Sequence, residues 1–415
     1  MSQDTVRLIP ADEGSWRLDA YLRRGGYQAA RKAVTSMAPA DIIAEVRKAG
    51  LRGRGGAGFP AGLKWSFVPQ GVSGPKYLCA NADEGEPGTF KDRAILVRDP
   101  HRLLEGMVIA AFAVGIRTAV IYVRGEYERI AGRLREAVAE AEGAGFLGRT
   151  VFGSGFGLEV VIHFGAGAYI CGEETALLES VEGRRGTPRL KPPFPAVAGL
   201  FRAPTVINNV ETLANVPSII GRGADWFTAQ GLPKDCGTRL FSVSGAVRRP
   251  GLYELPTGIP LRTLIEDHAG GPPEGVSVKA VIPGGLSAPV LRADELEAHL
   301  DFESMALACS MAGSAGVIVI GDRTPMLEVL GVMTRFYAHE SCGQCTPCRI
   351  GTSWIHRTVT RIAAGQGRKG DLDLILSLAD GIKGRTLCPM GDAAALAIQA
   401  LVAKFRDELE QAVER

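Results

Sequence analysis

Four of the eight cysteines fall in one pattern, Cys342-x-x-Cys345-x-x-Cys348 followed after 39 residues by Cys388-Pro389. Thiolates at this spacing can turn onto a common centre, and a remote fourth can close the mouth that three of them form. Structural zinc usually takes its thiolates as two separated Cys-x-x-Cys pairs, whereas three close cysteines plus a distant Cys-Pro match the spacing of a [4Fe–4S] site. Iron–sulfur is therefore the favoured reading, with zinc and unliganded thiols as the alternatives. A c-type haem is excluded, because Thr346 and Arg349 stand where the attachment motif requires histidine.

A second chemistry lies upstream. Gly53-Arg54-Gly55-Gly56-Ala57-Gly58-Phe59-Pro60-Ala61-Gly62-Leu63-Lys64-Trp65 holds five glycines, two cations and two aromatic rings in thirteen residues. Backbone without Cβ atoms can approach a phosphate or a flat ring closely, and Phe59, Trp65 and Phe67 offer stacking faces. A Rossmann fingerprint follows a strand, but here a helical pattern over Asp41–Lys48 comes first, so the stretch reads as a cofactor loop of another kind. A flexible loop is the bland alternative.

Next, Lys76–Ala80 reads as a buried strand running into Asn81-Ala82-Asp83-Glu84-Gly85-Glu86, the position where open α/β sheets bind ligands. Its carboxylates can accept hydrogen bonds from sugar hydroxyls and a ring N–H; a divalent metal site and a solvated acidic turn are the alternatives. A second glycine turn, Gly165–Ala168, leads through Tyr169, Cys171 and Gly172 into a helix that begins near Glu173 and Glu174. Lys191 and Phe194 lie in a Pro-rich loop available to a charged aromatic ligand. Asn208 and Asn209 open another helix, with Asn209 as its cap.

These residues need elements to position them. Periodicity predicts helices over 30–34, 41–48, 100–114 and 126–142, with strands over 118–124 and 158–164, which is a parallel-sheet pattern. From about 238 to 322 the strands shorten to 239–243, 280–282 and 317–320 with a helix over 261–268. Helical spacing then returns over 324–337, 349–363, 372–378 and 393–405, so the cysteines belong to a C-terminal bundle with Pro389 as a helix start.

Composition narrows the classes. At 415 residues and 46% apolar content the chain can bury a sizeable core. Its 47 basic and 45 acidic residues are interspersed, giving net charge +2 and no nucleic-acid signature. Met1–Pro10 shows no apolar secretion segment, and the longest apolar run, Met107–Ile116, is half the ~20 residues a spanning helix needs. Single Cys79, Cys171, Cys236 and Cys309 suit a reducing compartment. The six histidines form no triad-like spacing, and His339, three residues before Cys342, reads as a helix-end residue, with a cluster-tuning role as the alternative.

Taken together, Arg52–Trp65, Asn81–Asp92, Ala168–Leu177 and Ser341–Arg349 make the chain resemble the NADH-binding flavoprotein subunit of NADH:quinone oxidoreductase, the respiratory complex I. The likeness covers nearly the whole length. It implies an α/β fold in three parts: N-terminal helices plus a Rossmann-like FMN/NADH domain over 1–237, a β-grasp (ubiquitin-like) α+β domain over 238–323, and a helical bundle with a [4Fe–4S] cluster over 324–415. It implies FMN contacts from Gly53, Arg54, Gly55, Lys64, Asn81, Asp83, Glu84, Gly172, Glu173, Asn208 and Asn209. NADH contacts are implied for Phe59, Phe67, Glu86, Glu174, Lys191 and Phe194, with Tyr169 lining the cavity, and cluster ligation for Cys342, Cys345, Cys348 and Cys388.

Function follows from the same resemblance: hydride passes directly from NADH to FMN with no catalytic acid or base, and electrons leave singly through the cluster. Implied partners are a thioredoxin-like [2Fe–2S] subunit and a large multi-cluster subunit, with no nucleic acid and no direct membrane insertion, on the cytoplasmic side of the inner membrane. The diaphorase subunits of NAD-linked hydrogenases and formate dehydrogenases share all four motifs and form the first alternative; the short N-terminus favours the quinone-oxidoreductase reading. A non-enzymatic iron–sulfur or zinc scaffold is the alternative of another class.

Overall fold

The computed structural model describes residues 8–69, 71 and 74–414; most of the N-terminal segment read above for secretion signals, residues 1–7, lies outside them. Four strands, β1 (Tyr77–Ala82), β2 (Thr118–Val123), β3 (Glu159–Phe164) and β4 (Thr205–Asn209), form a parallel sheet in the order β3-β2-β1-β4. The chain steps outward from β1 to β3 and then returns to lay β4 on the other side of β1. Crossovers therefore reverse between β1 and β4, and the carboxyl ends of these two strands flank a topological switch point, where such sheets bind ligands.

Strand alternation explains why the sheet has helices on both faces. Leu78, Ala80, Ala82, Ala119, Ile121 and Val206 point into one core shared with the helices Pro100–Val114 and Val210–Arg222. Cys79, Val120, Tyr122 and Ile207 point into the other, which continues through Ile170–Leu178 into Met326, Leu330, Ile355 and Ile398. The cysteine bundle is thus joined to the back of the sheet through Ile170–Leu178. The run 107–116 is a core helix segment as expected, closed by Gly115 at φ 77°.

A second, mixed sheet has the order Leu291–Arg292, Val278–Ile282, Gly316–Gly321, Thr238–Gly245, Gly251–Pro256. Its central strand, Gly316–Gly321, runs parallel to Thr238–Gly245 and antiparallel to Val278–Ile282. One helical turn, Leu261–Thr263, passes into a wider π turn, Leu264–His268, and packs on it. The bundle comprises Met326–Glu340, Thr346–Ala363, Asp371–Ile382, Pro389–Lys404 and Arg406–Val413. No helix among the described residues is long and apolar enough to cross a membrane.

Several local expectations need correction. The cofactor loop ends early, because Pro60 caps a short helix, Ala61–Ser66, that carries Lys64 and Trp65. Strand β4 precedes the helix that Asn209 caps; its five residues are too few to show a period. The helix placed at 349 begins at Thr346, with Pro347 in its first turn, so Cys348 is helical rather than before the helix. The structure adds the strand Gly251–Pro256 and the helices Asp92–Arg98, Phe302–Leu307 and Arg406–Val413.

Candidate functional site

At the switch point the carboxyl end of β1 faces that of β4. Asn81 Nδ2 donates to the Gly172 carbonyl at 2.9 Å, and Asn81 Oδ1 accepts from the Asp83 N–H. Asp83 Oδ2 is buried and has no hydrogen-bond partner. Burial pushes this carboxyl up to about 7, although Arg124 pulls it the other way. An orphaned acceptor at a ligand-binding position is unusual in a folded chain, and a ring N–H of a bound flavin is the kind of donor it lacks.

The glycine loop closes the cleft from the β4 side. A Cβ on Gly55 would stand 3.1 Å from Asn209 Cβ, a tight contact that a larger residue could make only if Asn209 gave way by a few tenths of an ångström. Gly53 bonds back to Phe59 through its N–H. Lys64 projects from its helix to donate to the Ile207 carbonyl and to Glu174 Oε2, both at 2.9 Å. Lys191 Nζ meets the other oxygen of Glu174 at 2.9 Å and Glu173 Oε1 at 3.0 Å. Burial alone would raise Glu174, but the two lysines outweigh it and bring the carboxyl below its usual range. Phe59, Phe67 and Phe194 are 44%, 53% and 58% exposed, apolar rings left in water beside these charges.

Five expected FMN contacts are engaged by the protein itself. The Arg54 side chain is fully buried away from solvent, paired with Asp235 at 3.0 Å and the Cys236 carbonyl, while its N–H bonds Thr212. Its guanidinium braces the loop from below and is not free for a flavin. Glu84 accepts from the N–H groups of Asp92 and Arg93 and from Tyr127 Oη, capping the Asp92–Arg98 helix. Glu173 caps the helix Glu174–Val181 through Thr175 N and Ala176 N. Asn209 caps its helix and also donates to Asp92, and Asn208 Oδ1 accepts from Trp65 Nε1 at 2.8 Å.

Glu86 links all three parts. It accepts from Tyr169 Oη at 2.6 Å, Ser287 N at 2.7 Å and Ser287 Oγ at 3.0 Å, and Tyr337 of the bundle donates to the same serine hydroxyl. Burial raises Glu86, and these donors oppose it. With Glu84 and Glu86 both committed to protein donors, the acidic turn is not arranged as a divalent cation site. Sequence reading missed Ser287, Arg124 and Tyr127. Arg124 follows the carboxyl end of β2, a signal available once the strand was assigned; Ser287 had none.

Behind the turn Tyr169–Gly172 lie the cysteines. Cys345 and Cys388 occupy N-cap positions of Thr346–Ala363 and Pro389–Lys404, and Cys348 lies in the first of these helices' opening turn. Helix N-termini favour the anionic thiolate. Burial pushes the Cys388 thiol up to about 12, with Cys342, Cys348 and Glu173 close enough to contribute. Burial also raises Cys348, which feels Cys345 and Cys342. All four are free thiols. No three ligating side chains among the described residues gather as for one ion, but a cubane takes its thiolates on separate irons, so this donor set fits it. His339 is 82% exposed and pairs with Glu340, an ordinary helix-end position.

A flavin-type cleft on a parallel sheet, backed by a four-cysteine bundle, defines a flavin- and iron–sulfur-dependent electron-transfer protein. Family models agree in order along the chain: the Nuo51 FMN-binding domain over residues 46–218, an SLBB domain over 239–326 and the NADH-ubiquinone oxidoreductase-F iron-sulfur binding region over 328–412. An NADH-quinone oxidoreductase F subunit of Rhizobium meliloti is 56% identical, over 96% of this chain and 94% of the relative. The corresponding F subunit of Mycobacterium tuberculosis is 52% identical, over 97% and 92%. The chain belongs to the family of NADH-quinone oxidoreductase F subunits. The solved structure of an air-oxidised NAD+-reducing [NiFe]-hydrogenase is also similar, with TM-score 0.85 and 40% identity over 96% of this chain and 67% of that one.

Proposed function

We propose that this chain is the electron-entry subunit of an NADH:quinone oxidoreductase, with NADH and FMN sharing the cleft at the switch point and a [4Fe–4S] cluster held by Cys342, Cys345, Cys348 and Cys388. FMN, when bound, would supply a hydride acceptor and the cluster a one-electron carrier. The protein's own residues bind and orient. Gly53 and Gly55 bring backbone close to the flavin, Lys64 supplies a cation, and Asn81, Asp83, Gly172, Asn208 and Asn209 line its bed. Phe59, Phe67 and Phe194 would offer stacking faces to the nucleotide, Glu174 and Lys191 would meet its ribose, and Glu86 and Tyr169, bonded to one another, would border it. Arg54, Glu84 and Glu173 support from beneath. Direct hydride transfer leaves no acid or base to assign.

The observation that carries this reading is the turn Tyr169–Gly172. One side receives the Asn81 amide at the Gly172 carbonyl, and on the other the Tyr169 N–H donates at 3.1 Å to Glu340, the last residue of the bundle helix that leads into Cys342. A single turn separates the cleft from the cysteines, the short separation that electron transfer between two centres needs. Identity of 56% to a quinone-oxidoreductase subunit, against 40% to the hydrogenase chain, supports the quinone-linked complex over the diaphorase alternative.

We further read three units at 1–237, 238–323 and 324–415, a thioredoxin-like [2Fe–2S] subunit and a large multi-cluster subunit as partners, and a place on the cytoplasmic side of the inner membrane. The test is Cys345→Ser in the purified protein. Flavin absorbance and NADH:ferricyanide activity are expected to persist while iron content and the cluster's EPR signal fall; unchanged iron and EPR would sink the ligand assignment, and absent flavin in wild type would sink the whole reading.

A further inference from the structure

Two guanidiniums hold the cysteine loop and have no task in nucleotide or flavin binding. Arg185 Nη2 donates to the Cys342 carbonyl at 2.8 Å. Arg349 Nη1 donates to the Gly343 carbonyl, and its Nη2 reaches Thr346 Oγ1 at 3.3 Å. Gly343 has φ +82°, and a Cβ there would stand 3.9 Å from Arg185 Nη2 and 3.8 Å from Arg349 Cδ. The two arginines therefore flank one residue, between the first and second cysteines.

Among the described residues neither guanidinium makes an ion pair. The neighbouring Arg184 and Arg189 are ion-paired with Glu179 and Glu182, whereas the acceptors of Arg185 and Arg349 are uncharged oxygens. Arg185 reaches across from the segment after the helix Glu174–Val181, so the wall of the flavin cleft supplies a cation to the cluster loop. Reduction adds negative charge to a cluster already ligated by thiolates. A fixed cation at the loop favours that form, and hydrogen bonds and charge around the ligands are among the protein's means of setting such potentials. Arg185 is exposed, which screens its charge, but its bond to the Cys342 carbonyl also polarises the peptide joining Cys342 to Gly343.

We propose that Arg185, together with Arg349, is a positioning residue that clasps the Cys342–Gly343 loop and raises the reduction potential of the cluster. The proposal rests on the cluster assignment above. An EPR-monitored redox titration of the purified protein carrying FMN and cluster tests it. Arg185→Gln is expected to move the one-electron equilibrium several-fold toward the oxidised cluster, tenfold corresponding to ~59 mV. Arg185→Lys is expected to keep most of the wild-type value, with FMN content and NADH:ferricyanide turnover unchanged in both. An Arg185→Gln protein with full iron content and the wild-type midpoint overturns the proposal, as does a Lys variant whose midpoint falls as far as that of Gln. Should the Gln variant lose its cluster, Arg349→Gln is read in the same way, and an unshifted midpoint there overturns it. A wild-type protein without any cluster signal would instead refute the cluster assignment itself.

Discussion

Lys64 and Glu174 are joined by a 2.9 Å ion pair across the mouth of the cleft, although 110 residues separate them in sequence. Lys191 holds the second oxygen of the same carboxylate. Glu174 is therefore the shared counter-ion of two lysines at the place proposed for the nucleotide ribose, although Lys191 also pairs with Glu173 and Lys64 also donates to the Ile207 carbonyl.

Glu174→Gln is expected to shift the nucleotide preference toward NADPH. A 2′-phosphate would meet a carboxylate in wild type and a neutral amide in the variant, beside Lys64, which keeps the Ile207 carbonyl, and Lys191, which keeps Glu173. Like charges at about 4 Å repel by roughly 4 kcal/mol at an effective dielectric near 20, and even a quarter of that changes a ratio about five-fold. Comparing kcat/KM for NADPH and NADH checks it; an unaltered ratio removes Glu174 from the site.

Lys64→Ala is expected to lower FMN retention. Removing it takes away the cation beside the glycine loop and leaves Glu174 with Lys191 alone. Flavin fluorescence released on dialysis of the variant against wild type measures the effect, and equal retention would show that Lys64 serves only the ion pair.

Arg54→Ala is expected to cost about 3–5 kcal/mol of stability, because it strands Asp235 as a buried unpaired charge. Thermal unfolding of the flavin-free protein checks this. Were Arg54 instead a flavin contact alone, flavin-free variant and wild type would unfold at the same temperature.

Asp83→Asn is expected to stabilise the flavin-free protein at pH 8 and not at pH 4. A carboxyl whose folded pKa is raised binds its proton more tightly folded than unfolded. Its burial therefore costs nothing below the ordinary value near 4 and the full amount above about 7. Partial solvation reduces the gain to about 1–3 kcal/mol. Unfolding temperatures of both proteins across that range should converge as pH falls; a constant offset would mean that the charge is not what matters.

Local pattern was enough to read the four cysteines, the glycine stretch and the apolar helix at 100–114, because each is a short-range signature: fixed ligand spacing, missing Cβ atoms, a continuous buried run. Resemblance carried by four such stretches was enough for the family. What needed the folded chain was which side chains meet. Arg54 stands within a loop that binds cofactors in the resemblance, yet a buried carboxylate at Asp235, supplied 181 residues later, captures it. Ser287 had no motif at all and still gives both its donors to Glu86. Ion pairs and hydrogen bonds of this kind are set by strand order and by the packing of three units on one another, and a periodicity read along the chain holds no record of partners that distant.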